Sequence, residues 1–413
     1  MTGAPLRVLF LTPYFRPYLG GIERAIEQLT FQIQKSQNVE AVGVLTTKYS
    51  FPRIPQPQWA DRETTPEGIS IYRLAGFPRR SIPLYSCPLV WFSPWQINRY
   101  LKEFNPNVVH FVGDGWFWGH FWTWFWFRRR ARFVFTPSYH SLPLSRWWLR
   151  PINGFICNVI DQVIALTRME SQLVRRAYWV PSRKLAIIGW GAPAPAINPA
   201  PPGESEAHDS PSARGDANGG QPGQPGEPLT ILCVGRLGQH KGQEWLLGVY
   251  QQARSSFERS VRLVLVGRDE GDEAKIARLI RDTGLEAEVA MVGEVSDEDL
   301  IGWYARADLF VLFSQYEAFG LVFFEAMAHA TPVLTHDVGA NRELLTRGAV
   351  VVPKFDHGEA VAQLVRLVND AGYRRQLSQD AQDYVLAEFT WPAVAQKYIE
   401  VYSATAAQRD GEA

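Results

Sequence analysis

The sequence predicts an α/β protein made of two Rossmann-like domains, each a parallel sheet flanked by helices, facing each other across a cleft. Three observations lead there. A chain of 413 residues is longer than one hydrophobic core usually serves. Short apolar runs alternate with helical patterns in two blocks, residues 1–191 and 229–390, and strands separated by helices make right-handed crossovers in parallel sheets. Between the blocks, residues 192–228 are rich in Pro, Gly, Ser and Ala and nearly free of large apolar side chains, too few to order themselves by burial.

The elements follow in chain order. In the first block the strands fall at Arg7–Leu11, Ala41–Leu45, Ser70–Leu74, Val108–Val112, Phe133–Thr136, Gln162–Leu166 and Lys184–Ile188. Residues 192–228 exceed an ordinary connection and read as a flexible linker. The second block repeats the pattern at Thr230–Val234, Arg262–Val266, Val289–Val292, Leu309–Phe313, Pro332–Leu334 and Ala349–Val352. The tail is helical from about Ala360, with a restart at about residues 391–406, where Pro392 suits a first turn.

Formal net charge is zero, but residues 1–190 hold 23 Lys and Arg against 10 Asp and Glu, and 12 of the 15 Trp. A basic, Trp-rich half points to an anionic membrane surface, and no nucleic-acid motif accompanies it. Cys87, Cys157 and Cys233 are scattered and odd in number, which fits reduced thiols in the cytoplasm. The opening run Leu6-Arg-Val-Leu-Phe-Leu11 is too short for a signal peptide and reads as a strand. The longest uncharged run, Ser81 to Asn98, holds Pro83, Pro88 and Pro94, so no spanning helix is expected.

Two stretches of the second block carry chemistry. Strand Leu309–Phe313 runs into Glu317-Ala-Phe-Gly-Leu-Val-Phe-Phe-Glu325, two carboxylates eight positions apart around Gly320. The first should lie in the loop leaving the strand and the second about two turns into a helix. Ligands bind at such carboxyl edges, and the N–H groups after Gly320 can face an anion. Strand Thr230–Val234 ends in Gly235-Arg-Leu-Gly-Gln-His-Lys-Gly242, so Arg236 and Lys241 can approach an anion at the next helix start. Taken alone, that loop is equally a surface turn with two solvated cations. Asp297-x-Asp299 precedes an apolar helical run and reads, with Ser296, as a capping box rather than a metal pair. No metal or cofactor is expected.

The spacing of Glu317 and Glu325, the basic loop some 80 residues earlier, Val292–Leu300 and Tyr304–Asp308 together resemble retaining GT-B glycosyltransferases of family 4. The resemblance covers essentially the whole chain outside the linker. It implies transfer of a hexose from a UDP- or GDP-sugar, with retention at the anomeric centre and no metal ion. The acceptor it implies is a membrane glycolipid or polyprenyl-linked saccharide, with a soluble acceptor as the nearer alternative. Glu325 would accept from the ribose hydroxyls, and Glu317 would orient the donor sugar. Arg236 and Lys241 would neutralise the diphosphate, and amides at Gly320, Leu321 and Val322 would touch it. Gly20 and Gly21 would reach the same diphosphate from the first domain, and His140 would stand beside the donor sugar. The strand ending at Thr167 would face the cleft, and the last helix would return to the first domain. His110 is a weaker candidate, and Glu23 and Arg24 are as readily first-turn helix charges. The chain departs from the family pattern at Gly339, where paired glycines are usual, at Ala330, and at Gly189-Trp190-Gly191. A dinucleotide oxidoreductase is disfavoured because neither first strand is followed by Gly-x-Gly-x-x-Gly; a non-catalytic nucleotide binder is the remaining rival.

The run Trp116-Phe-Trp-Gly-His-Phe-Trp-Thr-Trp-Phe-Trp-Phe-Arg-Arg-Arg130, if helical, is aromatic all round. One face suits a core and the other a lipid headgroup region or protein. Trp147, Trp148 and Arg150, and Trp91 and Trp95 with Arg79 and Arg80, would extend that surface. The expected location is the inner face of the membrane, attached peripherally.

Overall fold

The computed structural model describes residues 5–17, 20–50, 54–75, 77–78, 90–91, 93–113, 117–138, 149–193 and 227–410. Two compact units emerge: Met1–Gly191 with Trp391–Ala413, and Ala192–Thr390. Each is a Rossmann-like α/β layer structure built on a parallel sheet.

In the first unit the sheet runs Leu185–Ile187, Gln162–Ala165, Arg132–Thr136, Val108–Val112, Leu6–Leu11, Val39–Thr47, Ser70–Leu74, Arg62–Thr64. All neighbours are parallel except the last pair. Strand order reverses between Leu6–Leu11 and Val108–Val112, which opens a crevice at their carboxyl ends. Val8, Leu9, Phe10 and Leu11 are all at most 1% exposed, because helices cover both faces of the sheet. Helix Gly21–Gln34 follows the first strand and buries Ala25, Ile26, Leu29 and Ile33, one face at helical spacing.

Helix Trp391–Asp410 belongs to this unit and packs on helix Gly21–Gln34 and strand Arg132–Thr136. Its attachment is polar as well as apolar. His110, fully buried on strand Val108–Val112, places Nδ1 2.6 Å from Tyr402 Oη and Nε2 2.8 Å from Thr136 Oγ1. Tyr398 lies parallel to Trp190 with ring centroids 6.1 Å apart. His110 is therefore a structural link between sheet and last helix, and its candidacy as a cleft residue is withdrawn.

The aromatic run forms helix Phe117–Phe127. His120, Thr123 and Phe127 make its buried face, Trp122, Trp124 and Trp126 are partly buried against the core, and Phe125 is 39% exposed. Trp95, in helix Pro94–Phe104, stands 72% exposed with its ring 5.7 Å from that of Trp126. Trp147, Trp148, Arg79 and Arg80 lie outside the described residues, as does the side chain of Trp91.

The second unit's sheet is parallel throughout, in the order Val289–Gly293, Val261–Val266, Leu229–Val234, Leu309–Leu312, Val333–His336, Ala349–Val352. Its order reverses between Leu229–Val234 and Leu309–Leu312. Ser296 Oγ accepts from the Asp299 N–H at 3.1 Å, so Asp297 and Asp299 open helix Asp297–Arg306 as a capped first turn. Every strand expected from an apolar run is present, within two residues at its ends. The strand Arg62–Thr64 was not expected, because this exposed antiparallel edge carries no apolar side chain.

Candidate active site

The two loops at the second unit's reversal point carry most of the expected donor-site residues. After strand Leu229–Val234, one 3-10 turn, Gln239–Lys241, precedes helix Gln243–Ala253. After strand Leu309–Leu312, residues 313–320 lead to helix Leu321–Ala328. Lys241 Nζ donates to Glu317 Oε1 at 2.7 Å, joining one loop to the other. Ser314 Oγ donates to the same oxygen, also at 2.7 Å. The Glu317 side chain is 10% exposed and that of Lys241 is 18%, so each charge depends on the other for the solvation it has lost.

Gly339 holds Glu317 from behind. Its φ is +55°, and a Cβ there would stand 1.7 Å from the Glu317 carbonyl oxygen. The loop after strand Val333–His336 thus packs backbone on backbone, with Ala340 N donating to Glu317 O at 3.3 Å. His336, fully buried at that strand's end, lies between Trp245 and Phe313 with ring centroids 4.2 and 4.7 Å away.

Arg236 is not an isolated cation. It pairs with Glu270, in the loop after strand Val261–Val266, and its guanidinium lies 3.5 Å from His240 Nε2. Burial, Arg236 and Lys241 all push the His240 pKa down, so the imidazole is neutral at pH 7. The basic loop then holds two positive charges, each matched by a carboxylate. Glu270 was missed from sequence; it follows Gly267-Arg-Asp in a stretch without periodicity.

Gly320, with φ +74°, caps helix Leu321–Ala328 and accepts from Phe323 N at 2.9 Å. The first N–H groups of a helix have no intrahelical acceptor, and Leu321 and Val322 supply such groups here. Glu325 is the fifth residue of this helix, a little over one turn in rather than two. Tyr304 Oη donates to Glu325 Oε2 at 2.8 Å, from the buried face of helix Asp297–Arg306. Tyr304 is the second residue of the site that sequence reasoning did not single out. Arg236, Lys241, Glu317, Gly320, Leu321, Val322 and Glu325 thus gather at one sheet edge.

The first unit's candidates are placed differently. Gly20 caps helix Gly21–Gln34, and its N–H donates to Glu23 Oε2 at 3.0 Å, which makes Glu23 a helix-capping carboxylate. Among the described residues nothing stands within 4 Å of where a Gly21 Cβ would be. Thr167 is buried and caps helix Arg168–Tyr178 by accepting from Glu170 N. His140 lies outside the described residues.

Residues 19–193 match the family model of Glycosyltransferase Family 4, and residues 216–384 match that of glycosyl transferases group 1. The structure superposes on sucrose-phosphate synthase from Thermosynechococcus elongatus with a TM-score of 0.73 at 22% identity, over 97% of this chain and 99% of that one. The chain has the GT-B glycosyltransferase fold. The GT-B protein HepE of Anabaena, solved with UDP and glucose, superposes with a TM-score of 0.69 at 17% identity, over 97% of this chain and 100% of that one. Among curated relatives, mannosylfructose-phosphate synthase of Agrobacterium fabrum is 29% identical over 58% of this chain and 52% of its own length. The chain spans about half the length of the first curated relatives it matches. A GDP-mannose:cellobiosyl-diphosphopolyprenol alpha-mannosyltransferase of Komagataeibacter xylinus is 24% identical over 96% of this chain and 93% of its own.

Proposed function

We propose that this GT-B chain transfers a hexose from a UDP- or GDP-sugar to a lipid-linked saccharide, with retention at the anomeric carbon and without a metal ion. The observation that carries the reading is the Lys241–Glu317 pair at the reversal point of the second sheet, beside the helix opened by Gly320. In the reaction the bond from the anomeric carbon to the diphosphate breaks and a bond to an acceptor oxygen forms. The acceptor's proton leaves with the diphosphate. Negative charge grows on the leaving oxygen, where Lys241, Arg236 and the first N–H groups of helix Leu321–Ala328 stabilise it more than the ground state. Glu317 orients the sugar through its fixed position, and Glu325 receives the ribose hydroxyls, since a carboxylate has acceptor capacity beyond its bond to Tyr304. Retention follows from departure and attack on one face of the sugar.

Two observations support a lipid-linked acceptor. The K. xylinus relative is named for a diphosphopolyprenol acceptor and is similar over nearly its whole length. Helices Pro94–Phe104 and Phe117–Phe127 expose Trp95 and Phe125 beside Arg128, Arg129 and Arg130. Among the described residues no helix is long and apolar enough to cross a membrane, so attachment would be peripheral.

The test is release of nucleoside diphosphate from a panel of UDP- and GDP-hexoses, with polyprenyl-diphosphate saccharides as acceptors and EDTA present. Turnover should appear with one donor and fall about a hundredfold in Lys241→Ala. Turnover that requires added manganese or magnesium would remove the metal-free reading. Binding without any turnover would make the chain a nucleotide-binding protein.

A further inference from the structure

A pocket in the first unit, of about 450 Å³, is lined by Arg16, Pro17, Trp59, Ala60, Glu63 and Arg73. That volume lies within the span of small-ligand sites, roughly 300–1,000 Å³. Its position is informative. Arg16 and Pro17 belong to the loop leaving strand Leu6–Leu11, and Arg73 is the penultimate residue of strand Ser70–Leu74. Trp59 and Ala60 come just before edge strand Arg62–Thr64, which contributes Glu63. The pocket therefore opens at the carboxyl edge of the sheet, where open α/β sheets take ligands, on the loop that continues to Gly20.

The lining is built around a buried cation. Arg73 is 1% exposed, and its guanidinium donates to Glu63 Oε2 at 2.7 Å, Ala60 O at 3.2 Å and Arg16 O at 2.9 Å. It also lies 6.0 Å from the Trp59 ring centroid, so one planar group steadies another. Its Nε finds no hydrogen-bond partner among the described residues. Arg16 pairs with Glu27 and lies 5.4 Å from the Phe31 ring centroid, so its plane is fixed as well.

Both arginines already have carboxylate partners, so the lining is close to neutral. That disfavours a bare anion. An aromatic face rimmed by a fixed guanidinium and a carboxylate suits a neutral ring with hydroxyls on its edge and C–H groups on its face. We infer that this pocket is a saccharide subsite, in which a sugar ring of the acceptor packs on Trp59 and its hydroxyls meet Arg16 and Glu63, both held in place by hydrogen bonds from Arg73. The inference rests on the proposed glycan acceptor and adds the residues that hold it.

Saturation-transfer NMR on the full chain tests it, with methyl α-glucoside, methyl α-mannoside, methyl α-galactoside and cellobiose as probes. At least one should bind. Trp59→Ala should weaken that binding about tenfold, and Trp59→Phe should keep most of it, because stacking rather than shape supplies the contact. UDP and GDP affinities should be unchanged in both variants, which also shows that the fold survives. Binding equal in wild type and Trp59→Ala, or no binding by any probe, overturns the subsite. Inorganic phosphate binding that depends on Arg16 while the sugars fail also overturns it. Sugar binding that depends on Trp59 in a chain without affinity for any nucleoside diphosphate would sink the transfer reading and leave the subsite standing.

Discussion

Lys241 and Glu317 are 76 positions apart in sequence and 2.7 Å apart in space. Each could be picked out from sequence, because a basic loop and a Glu-x7-Glu spacing are local patterns. That they meet could not, since nothing local reports a contact across two loops. Glu270 and Tyr304 escaped for the same reason: each acts through a partner, Arg236 or Glu325, that lies far along the chain. The pairing shapes the expected variant behaviour. Lys241→Ala removes a leaving-group charge and strands Glu317 with Ser314 alone, so turnover should fall by about 3 kcal/mol in transition-state stabilisation. Glu317→Gln should depress turnover while nucleoside diphosphate affinity stays within a few-fold. If the two substitutions combined additively in a double-mutant cycle, the ion pair would be an idle contact. Glu325→Ala should weaken nucleotide binding, and Tyr304→Phe should do so by less, about 1 kcal/mol for one lost hydrogen bond. Undiminished affinity of Glu325→Ala in calorimetry would remove the ribose role.

At the scale of elements, the strands were legible because buried parallel strands are unbroken apolar runs, such as Leu229–Val234 and Val261–Val266. Loops were legible only where glycine marks them. Gly339 was noted as the lone survivor of a glycine pair, but its task, letting backbone pass 1.7 Å from where a side chain would begin, needs the fold. His110 misled because a histidine in a sheet strand looks the same whether it faces a cleft or a helix. Here it binds Tyr402, and burial holds its pKa down at about 3 against an ordinary 6.5. His120, also fully buried, is lowered to about 3 by the same cause. The sign follows. Between pH 6.5 and about 3 the unfolded chain takes up protons that the folded chain refuses, so stability is full above 6.5 and is lost as pH falls through that window. Each histidine contributes about 1.4 kcal/mol per pH unit there. Urea unfolding should show lower stability at pH 5 than at pH 7. In His110→Asn the slope should shrink by one proton. An unchanged slope would mean that His110 is protonated inside the folded unit.

At the scale of the molecule, the first 190 residues combine a surplus of 13 positive charges with 12 Trp. Among the described residues the aromatics of this unit differ in exposure, and Trp179 is 67% exposed. Phe127 and Trp190 fill cores, whereas Trp95, Phe125 and Phe155 are 72%, 39% and 43% exposed. Trp95, Phe125 and Phe155 belong to one connected run of rings. Trp95 meets Trp126, Phe125 meets both Trp126 and Phe121, and Phe121 meets Phe155. Arg128 lies over the Phe125 ring at 4.8 Å, and Arg129 and Arg130 stand exposed beside it. Aromatic side chains with basic neighbours suit the headgroup level of an anionic leaflet. Each basic residue there adds about 1 kcal/mol that salt screens, whereas buried aromatic area adds a part that salt leaves alone. The two parts should separate by mutation. Replacing Arg128, Arg129 and Arg130 by Glu should abolish the preference for anionic over neutral vesicles and leave nucleotide affinity unchanged. Replacing Trp95 and Phe125 by Ala should instead remove the binding that persists at high salt. Vesicle flotation reads both effects. Wild-type protein that stays wholly unbound to anionic liposomes at low salt would show that this surface meets protein rather than lipid, and the acceptor would then be a soluble one.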